Sequence, residues 1–470
     1  MLETVRASAV LVGAALAIGA MTFACSHSNG GVASGGDGGG EDSSTPVSEN
    51  DSSVAPSPDA GGNMPEAGSS DAQAASDGTA PLATCITPTT PQACTPPEMT
   101  ALPICKLSQT GCMDPTNLTQ FNKSAVYYEV NSPLWSDGAS KTRAFVLPAG
   151  GKIHVKDCEA DAGDASLSEC VAPNGIPNGP ADTGKWVFPV GTVMIKNFMI
   201  NGKLVETRLF MHVDAATANV IQNTSQWVGY NYAWNDDQTE ATIVNNERLA
   251  VSLAGDAGTD AGDGGEPQWN YPSWLDCITC HAPGVDTLGP ETDQMNREVD
   301  GGNQIDRFVA MGLFDDTAPQ KPYTTAMVEP YTNPALGLTG TPGATTEQEA
   351  RSYLAANCGF CHRPDVNNFG FDLRYSLSFA DTGLCNQPQQ TGIPGYEDGG
   401  ADNDVDFAPG DHAASAMWIR MSLPVPASDP NETDNVGRMP ELASFVVDTQ
   451  ATAIIASWID SVKSCPDAGP

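Results

Sequence analysis

Cys358-Gly359-Phe360-Cys361-His362 follows Thr345-Thr346-Glu347-Gln348-Glu349-Ala350 and Tyr353-Leu354, and the same pattern stands upstream as Cys277-Ile278-Thr279-Cys280-His281. Thr345 or Thr346 with Gln348 or Glu349 three residues on is a capping box. Ala350, Tyr353 and Leu354 then set one face of a helix that runs into the second motif. Two thiols three positions apart can each bond a haem vinyl group while the adjacent imidazole ligates the iron from one face, as in c-type haem attachment. The pattern is complete twice, so two covalently attached haem c groups are expected. Cys277, Cys280, Cys358 and Cys361 are the expected attachment thiols, and His281 and His362 the iron ligands. A zinc site made of both pairs would span the 77 residues between Cys280 and Cys358. A compact paired-cysteine site spans about 15 to 20, and zinc would leave both histidines unexplained. A thioredoxin-like dithiol wants a βαβ setting, which the surrounding Pro, Asn and Gly do not offer.

Downstream, Asp448 is placed to cap a closing helix whose apolar stripe is Ile454, Ile455, Trp458, Ile459 and Val462. A helix entering the motif and a helix closing the region frame a class I cytochrome c-like module. In such folds the sixth iron ligand is a Met in the loop before the last helix, the place of Met439-Pro440. Met439 is therefore the expected second axial ligand of the second haem, against the alternative of a packing methionine. For the first haem the sixth position stays open among Met295, Met311, Met327 and Met421. His412 is a further candidate ligand for either iron, although its place in Pro409-Gly410-Asp411-His412 reads first as a turn opening a helix. An open first iron would bind small molecules and would make the chain a haem oxidoreductase.

Upstream of the first motif the signals change to strands. Val126–Val130, Ala144–Leu147, Ile153–Val155, Trp186–Pro189, Thr192–Phe198, Glu206–Val213, Trp227–Trp234 and Ala241–Val244 are short, β-branched and aromatic, with Gly, Asn, Pro and Asp between them. Several alternate, so a mainly-β domain, a sandwich or barrel, is expected. No nucleophile, base and orienter pattern stands out, and His154 and His212 read as strand-face histidines. Trp135, Trp186, Trp227, Tyr230, Tyr232 and Trp234 read first as core, with a polysaccharide-binding face as the alternative.

The N-terminus reads as an address. Arg6 precedes an apolar run from Ala7 to Ala20, and Ala24 stands directly before Cys25. This is a secretory signal peptide, and the Cys gives it the form of a bacterial lipoprotein signal in which Cys25 becomes a lipid anchor. Residues 26–84 are rich in Gly, Ser, Asp, Ala and Pro and are expected to form a disordered stalk. Such a coil reaches roughly 40 Å. The charge of −37, from 58 acidic and 21 basic side chains, excludes a nucleic-acid binder and suits a partner with a basic face. No later apolar run is long enough to span a membrane. Besides Cys25 and the motif cysteines, eight of the 13 remain. In an exported chain they suggest disulfides: Cys85, Cys94, Cys105 and Cys112 among themselves, Cys158 with Cys170, and Cys385 with Cys465.

The succession Leu134-Trp135-Ser136-Asp137-Gly138-Ala139 with Lys141 and Arg143, Trp186 to Thr192, Lys196-Asn197-Phe198, Glu206-Thr207-Arg208-Leu209 and Tyr232 to Asn235 resembles the bacterial exported dihaem c-type cytochrome family. The likeness continues through the two motifs, Leu288-Gly289-Pro290, Gln294 to Arg297, Arg420-Met421 and Met439-Pro440, and covers roughly residues 105–463. It favours Met421 over Met295 as a ligand of the first haem and implies electron transfer in the envelope, with a neighbouring dehydrogenase as one donor. The expected fold is multidomain: a mainly-β domain followed by mainly-α cytochrome c-like haem domains. Its parts are the signal peptide over 1–25, the stalk over 26–84, a Cys-stapled lead-in and β domain over 85–255, an acidic linker over 256–268, a first haem module over 269–344 and a second over 345–465. The expected function is electron transfer by a lipid-anchored protein in the periplasm or at the outer membrane, through a redox partner protein.

Overall fold

The computed structural model describes residues 85–90, 92–94, 103–158, 170, 180–220, 225–244, 249–252, 268–367, 369–389, 393, 405–423, 437–440 and 444–466. The signal peptide with Cys25, the stalk, the acidic linker up to residue 267 and the acidic insertion after Cys158 lie outside the described residues.

The lead-in is a hairpin of β1 (Met113–Asp114) and β2 (Asn117–Phe121), stapled by Cys85–Cys105 and Cys94–Cys112. β3 (Val126–Tyr127) and β4 (Ser140–Val146) follow, then a side ribbon of β5 (His154–Val155) with β6 (Trp186–Val187). Next come β7 (Val193–Ile200), β8 (Lys203–His212), β9 (Trp227–Trp234) and β10 (Ala241–Ile243). Six of these strands form one antiparallel sheet in the order β10-β9-β8-β7-β4-β3. β7 turns into β8 through Asn201-Gly202, both at positive φ, the turn chemistry that two-residue hairpins require. A further ribbon pairs β11 (Leu249–Ser252) with β12 (Gln268–Tyr271).

Alternation gives the sheet two buried faces. On one, Ala144, Val146, Val193, Ile195, Leu209 and Met211 pack against Leu107, Cys112 and Phe121 of the lead-in. On the other, Phe145, Met194 and Phe210 pack with Trp186, Phe188, Met295, Ile305 and Phe308. Each such aromatic, fully buried, stabilises the fold by about 1.5–3 kcal/mol. Trp186, Trp227 and Tyr232 are core residues rather than an exposed sugar platform. His154 pairs with Asp315 at 3.0 Å, and His212 stacks on Trp227 and meets the Phe188 carbonyl at 2.9 Å.

The expected fold class, a sandwich or barrel followed by separate mainly-α cytochrome c-like domains, is corrected here. All described residues fall in one compact unit, and strand (26%) exceeds helix (22%). Among the described residues no three of His, Cys, Asp and Glu group as a set able to hold a metal ion. The physical reason lies in helix length. After α1 (Ala215–Val220), the helices of the expected first module are α2 (Trp274–Cys280), α3 (Thr292–Met295) and α4 (Gln304–Ala310). Helices of seven, four and seven residues cannot close a core of their own. Cys277, Met295, Ile305 and Phe308 instead complete the core on the sheet, taking the place of a second sheet.

Among the described residues of 345–465 there are three α-helices, α5 (Thr346–Asn357), α6 (Ala416–Ser422) and α7 (Thr449–Ser461), around Leu354, Phe379, Phe407, Ile455 and Trp458. Cys385–Cys465 pins the end of this region, and Cys158–Cys170 closes the loop at the acidic insertion. Four disulfides are compatible with a protein outside the cytoplasm. Among the described residues no helix is long and apolar enough to cross a membrane.

Candidate functional site

The first motif rides on α2. Ser273 caps this helix in a reciprocal box with Asp276, and Cys277 and Cys280, three positions apart, share its inner side. Gly229 of β9 lets α2 approach, because a Cβ there would stand 2.6 Å from the Cys277 sulfur. His281 ends the helix, its ring 4.0 Å from that of Phe210. Its Nδ1 lies 2.6 Å from the Asp286 carbonyl oxygen, and only a protonated Nδ1 can donate there, so Nε2 keeps its lone pair. Phe210, Trp227 and His212 continue as a stack with spacings of 4.9 and 4.5 Å.

The second motif follows α5, whose capping box is Thr345 with Gln348. Cys358 caps the helix end, and its carbonyl accepts from the backbone N–H of Cys361 and His362. Gly359 is required, because a Cβ would meet the Ala355 and Leu373 carbonyl oxygens at 2.8 and 3.1 Å. The His362 ring stacks on Phe371 at 4.8 Å and abuts Phe369 at 5.1 Å, while its buried Nδ1 has no hydrogen-bond partner among the described residues.

Both motifs line one cavity. Thr279 and Cys280 of the first and Cys358, Phe360, Cys361 and His362 of the second face it, with Met439 and Pro440 on a further wall. Trp135, Phe198, Trp269 and Phe369 make the lining apolar. Counting the mouth open to solvent, the space it encloses is about 1070 Å3. A second, polar cavity adjoins it and shares Leu134, Lys196 and Phe360. Its walls bear Arg143, Lys185, Arg363 and Arg374 against Asp182, Glu291 and Asp293.

The segment Leu134–Ala139 braces these walls. Asn357 accepts from the Trp135 N–H at 2.6 Å, and the Trp135 indole donates to the Val446 carbonyl at 2.9 Å. The Asp137 carboxylate accepts from the backbone of Phe445 and Val446 and from the Ser444 hydroxyl, all at 2.9 Å. Thus a turn before β4 holds the loop that follows Met439. The Met439 N–H donates to the Arg420 carbonyl at the end of α6. Met421 shares a small void with Cys358 and Met439, beside the second motif rather than the first. Met295 is fully buried in the sheet core with the Gln304 amide 3.7 Å from its sulfur, Met327 is buried, and Met311 is exposed. His412 pairs with Asp460 at 2.9 Å on the surface.

Burial sets the protonation of these groups. It pushes the Cys277 and Cys358 thiols up to about 12. It pulls His281 down to about 3, helped by Lys196 and Arg208, and His362 down to about 4, helped by Arg420. Both imidazoles are neutral, the form that ligates a metal. Lys196 falls to about 7 through burial and the neighbouring Arg143 and Arg208.

The eight remaining cysteines pair off in four disulfides, and the four motif cysteines form none. Sequence reasoning missed Asp182 and the polar cavity; only the grouping of Lys and Arg at strand positions hinted at them. No family model, characterised protein or solved structure matches the chain.

Proposed function

We propose that this chain carries two covalently attached haem c groups and relays single electrons outside the cytoplasm. The observation that supports this most is convergence: two Cys-x-x-Cys-His motifs, far apart in sequence and on different elements, line one apolar cavity. The residue types fit the group: Cys280, Cys358, Cys361 and His362 line the cavity, while Cys277 and His281 pack beside it against Gly229 and Phe210. Cys277 and Cys280 would hold one porphyrin, Cys358 and Cys361 the other. His281 and His362 would ligate iron as neutral imidazoles, with Met439 completing the second site. Haem held in this way supplies a one-electron iron couple whose potential is set by axial ligand and burial. The chain's own part is to exclude water with Phe198, Phe360, Phe369, Trp135 and Trp269 and to fix the imidazole of His281 through Asp286.

Anchorage at Cys25, with the stalk as spacer, would keep the protein at the periplasmic or outer-membrane surface. The charge of −37 suits a redox partner with a basic docking face, with association that weakens as salt rises. The test is a pyridine haemochrome assay on protein exported in a host that matures c-type cytochromes. Two haems per chain, with spectra unmoved by carbon monoxide, are expected. Zero haem overturns the proposal, and a carbon monoxide response would make the first iron a reaction site.

A further inference from the structure

The cavity face of the sheet breaks a rule of strand pairing. Arg143 of β4 stands opposite Lys196 of β7, and Lys196 stands opposite Arg208 of β8. Residues opposite each other on antiparallel strands share a face, so three cations lie side by side across the middle of the sheet. Like charges so placed destabilise a sheet. The chain has only 21 Lys and Arg against 58 Asp and Glu, so composition does not force cations together here.

Acid partners cover part of the row. Arg208 is held by Glu206 through Nε at 2.9 Å and Nη2 at 3.1 Å, and Glu206 also accepts from the Trp269 indole at 3.0 Å. Arg143 has Glu129 at 4.0 Å. Lys141, one row along, is satisfied by the Leu134 and Ala139 carbonyls. Lys196, between the two arginines, makes no hydrogen bond or ion pair among the described residues. The Phe198 ring, 5.9 Å away, is its neighbour. What accessible surface Lys196 retains belongs to the cavities, since it lines both the apolar and the polar one. An unpaired ammonium enclosed by protein is costly, and an anionic group placed in the cavity removes that cost.

We infer that Lys196, with Arg143 and Arg208 at its sides, holds carboxylate groups of the porphyrin bound in this cavity. The inference rests on the haem reading above. A porphyrin of this type carries two carboxylates on one edge, and a cation row beside an apolar wall matches a ring that is apolar on its faces and anionic at that edge. A diffusible anion could satisfy the same cations, so the test separates the two.

Matured wild-type protein, Lys196→Met and Lys196→Arg would be compared by haem count, by the propionate bending band in resonance Raman spectra, and by midpoint potential, with and without inorganic phosphate. Lys196→Met is expected to shift the propionate band and move one of two midpoints to lower potential, because the carboxylate charge is no longer offset. Lys196→Arg stays near wild type, and phosphate changes neither. Potential and band are read on loaded molecules, so reduced yield does not mask them. Should Lys196→Met fail to accumulate, Lys196→Gln gives the same reading. An unmoved band with unmoved midpoints overturns the inference and leaves the haem reading standing. A phosphate response lost in Lys196→Met overturns it in favour of a diffusible anion. Wild-type protein without haem overturns both readings.

Discussion

Asp182 offers the sharpest test of how the described residues hold together. It is 2% exposed, and its carboxylate accepts from Arg363 at 2.7 Å and Arg374 at 3.0 Å, with Lys156 at 3.6 Å. Arg363 directly follows His362, so this cluster ties the turn before β6 to the second motif. Asp182→Ala leaves Arg363 with Asp365 and Arg374 with Asp372, and strips Lys156 of this carboxylate. Removing one member of a buried ionic cluster costs about 3–5 kcal/mol, because cations stay buried without their partner. Urea unfolding of the exported, disulfide-intact protein should show that loss as a lower midpoint at unchanged slope. Adding Arg363→Met should restore part of it, with a coupling of at least about 1 kcal/mol. Burial alone would push the Asp182 carboxyl up, but Lys185, Arg363, Lys156 and Arg374 together hold it below the usual carboxylate range. Its contribution is therefore present above the unfolded pKa of about 3.9 and is lost as pH falls through the lower folded value. Asp182→Ala should lack that acid-side slope. A cost below about 1 kcal/mol, or strict additivity with Arg363→Met, would refute the reasoning.

Four further outcomes follow from the same structure. Replacing Cys385 and Cys465 by Ser opens a loop of 80 residues, which the chain-entropy relation values at about 4.5 kcal/mol; an unchanged urea midpoint would show that the crosslink constrains nothing. Burial raises Asp406 to about 6, against the attraction of Arg420, so the folded chain holds a proton there between about pH 4 and 6 that the unfolded chain has released. Stability falls across that window, and Asp406→Asn should gain up to about 2 kcal/mol at pH 7.5 and nothing at pH 4; equal effects at both would contradict the assignment. Gly229→Ala drives a methyl against the Cys277 sulfur and should lower the haem count toward one per chain, whereas two haems would mean α2 shifts freely. Met439→Ala should abolish the Met-to-iron charge-transfer absorbance, while Met421→Leu, close in volume, should keep it; the reverse pattern would exchange their roles.

Much of the local structure was legible because its causes are local. The capping box at Thr345 and Gln348, the Asp448 cap of α7 and the strand runs depend on neighbours within a few residues. Cys158–Cys170, flanking an acidic insertion, and Cys385–Cys465 were pairings the sequence suggested and the structure contains, whereas Cys85–Cys105 and Cys94–Cys112 were not legible, since four close cysteines leave three connectivities. The expectation of separate haem domains failed at 269–344. The apolar residues there read equally well as a small core of their own or as cover for another element, and helix length decided for cover.

By itself the sequence determined the two Cys-x-x-Cys-His motifs, the helix that carries the second, the strand segments, and the charge of −37. Periodicity and spacing encode these directly. Only the tertiary structure decided that both motifs open onto one cavity, that Arg143, Lys196 and Arg208 stand in a row, and that Asp182 reaches Arg363. These depend on strand order and register. Both are set by the simultaneous burial of two sheet faces, a property of the whole chain that no stretch of it contains.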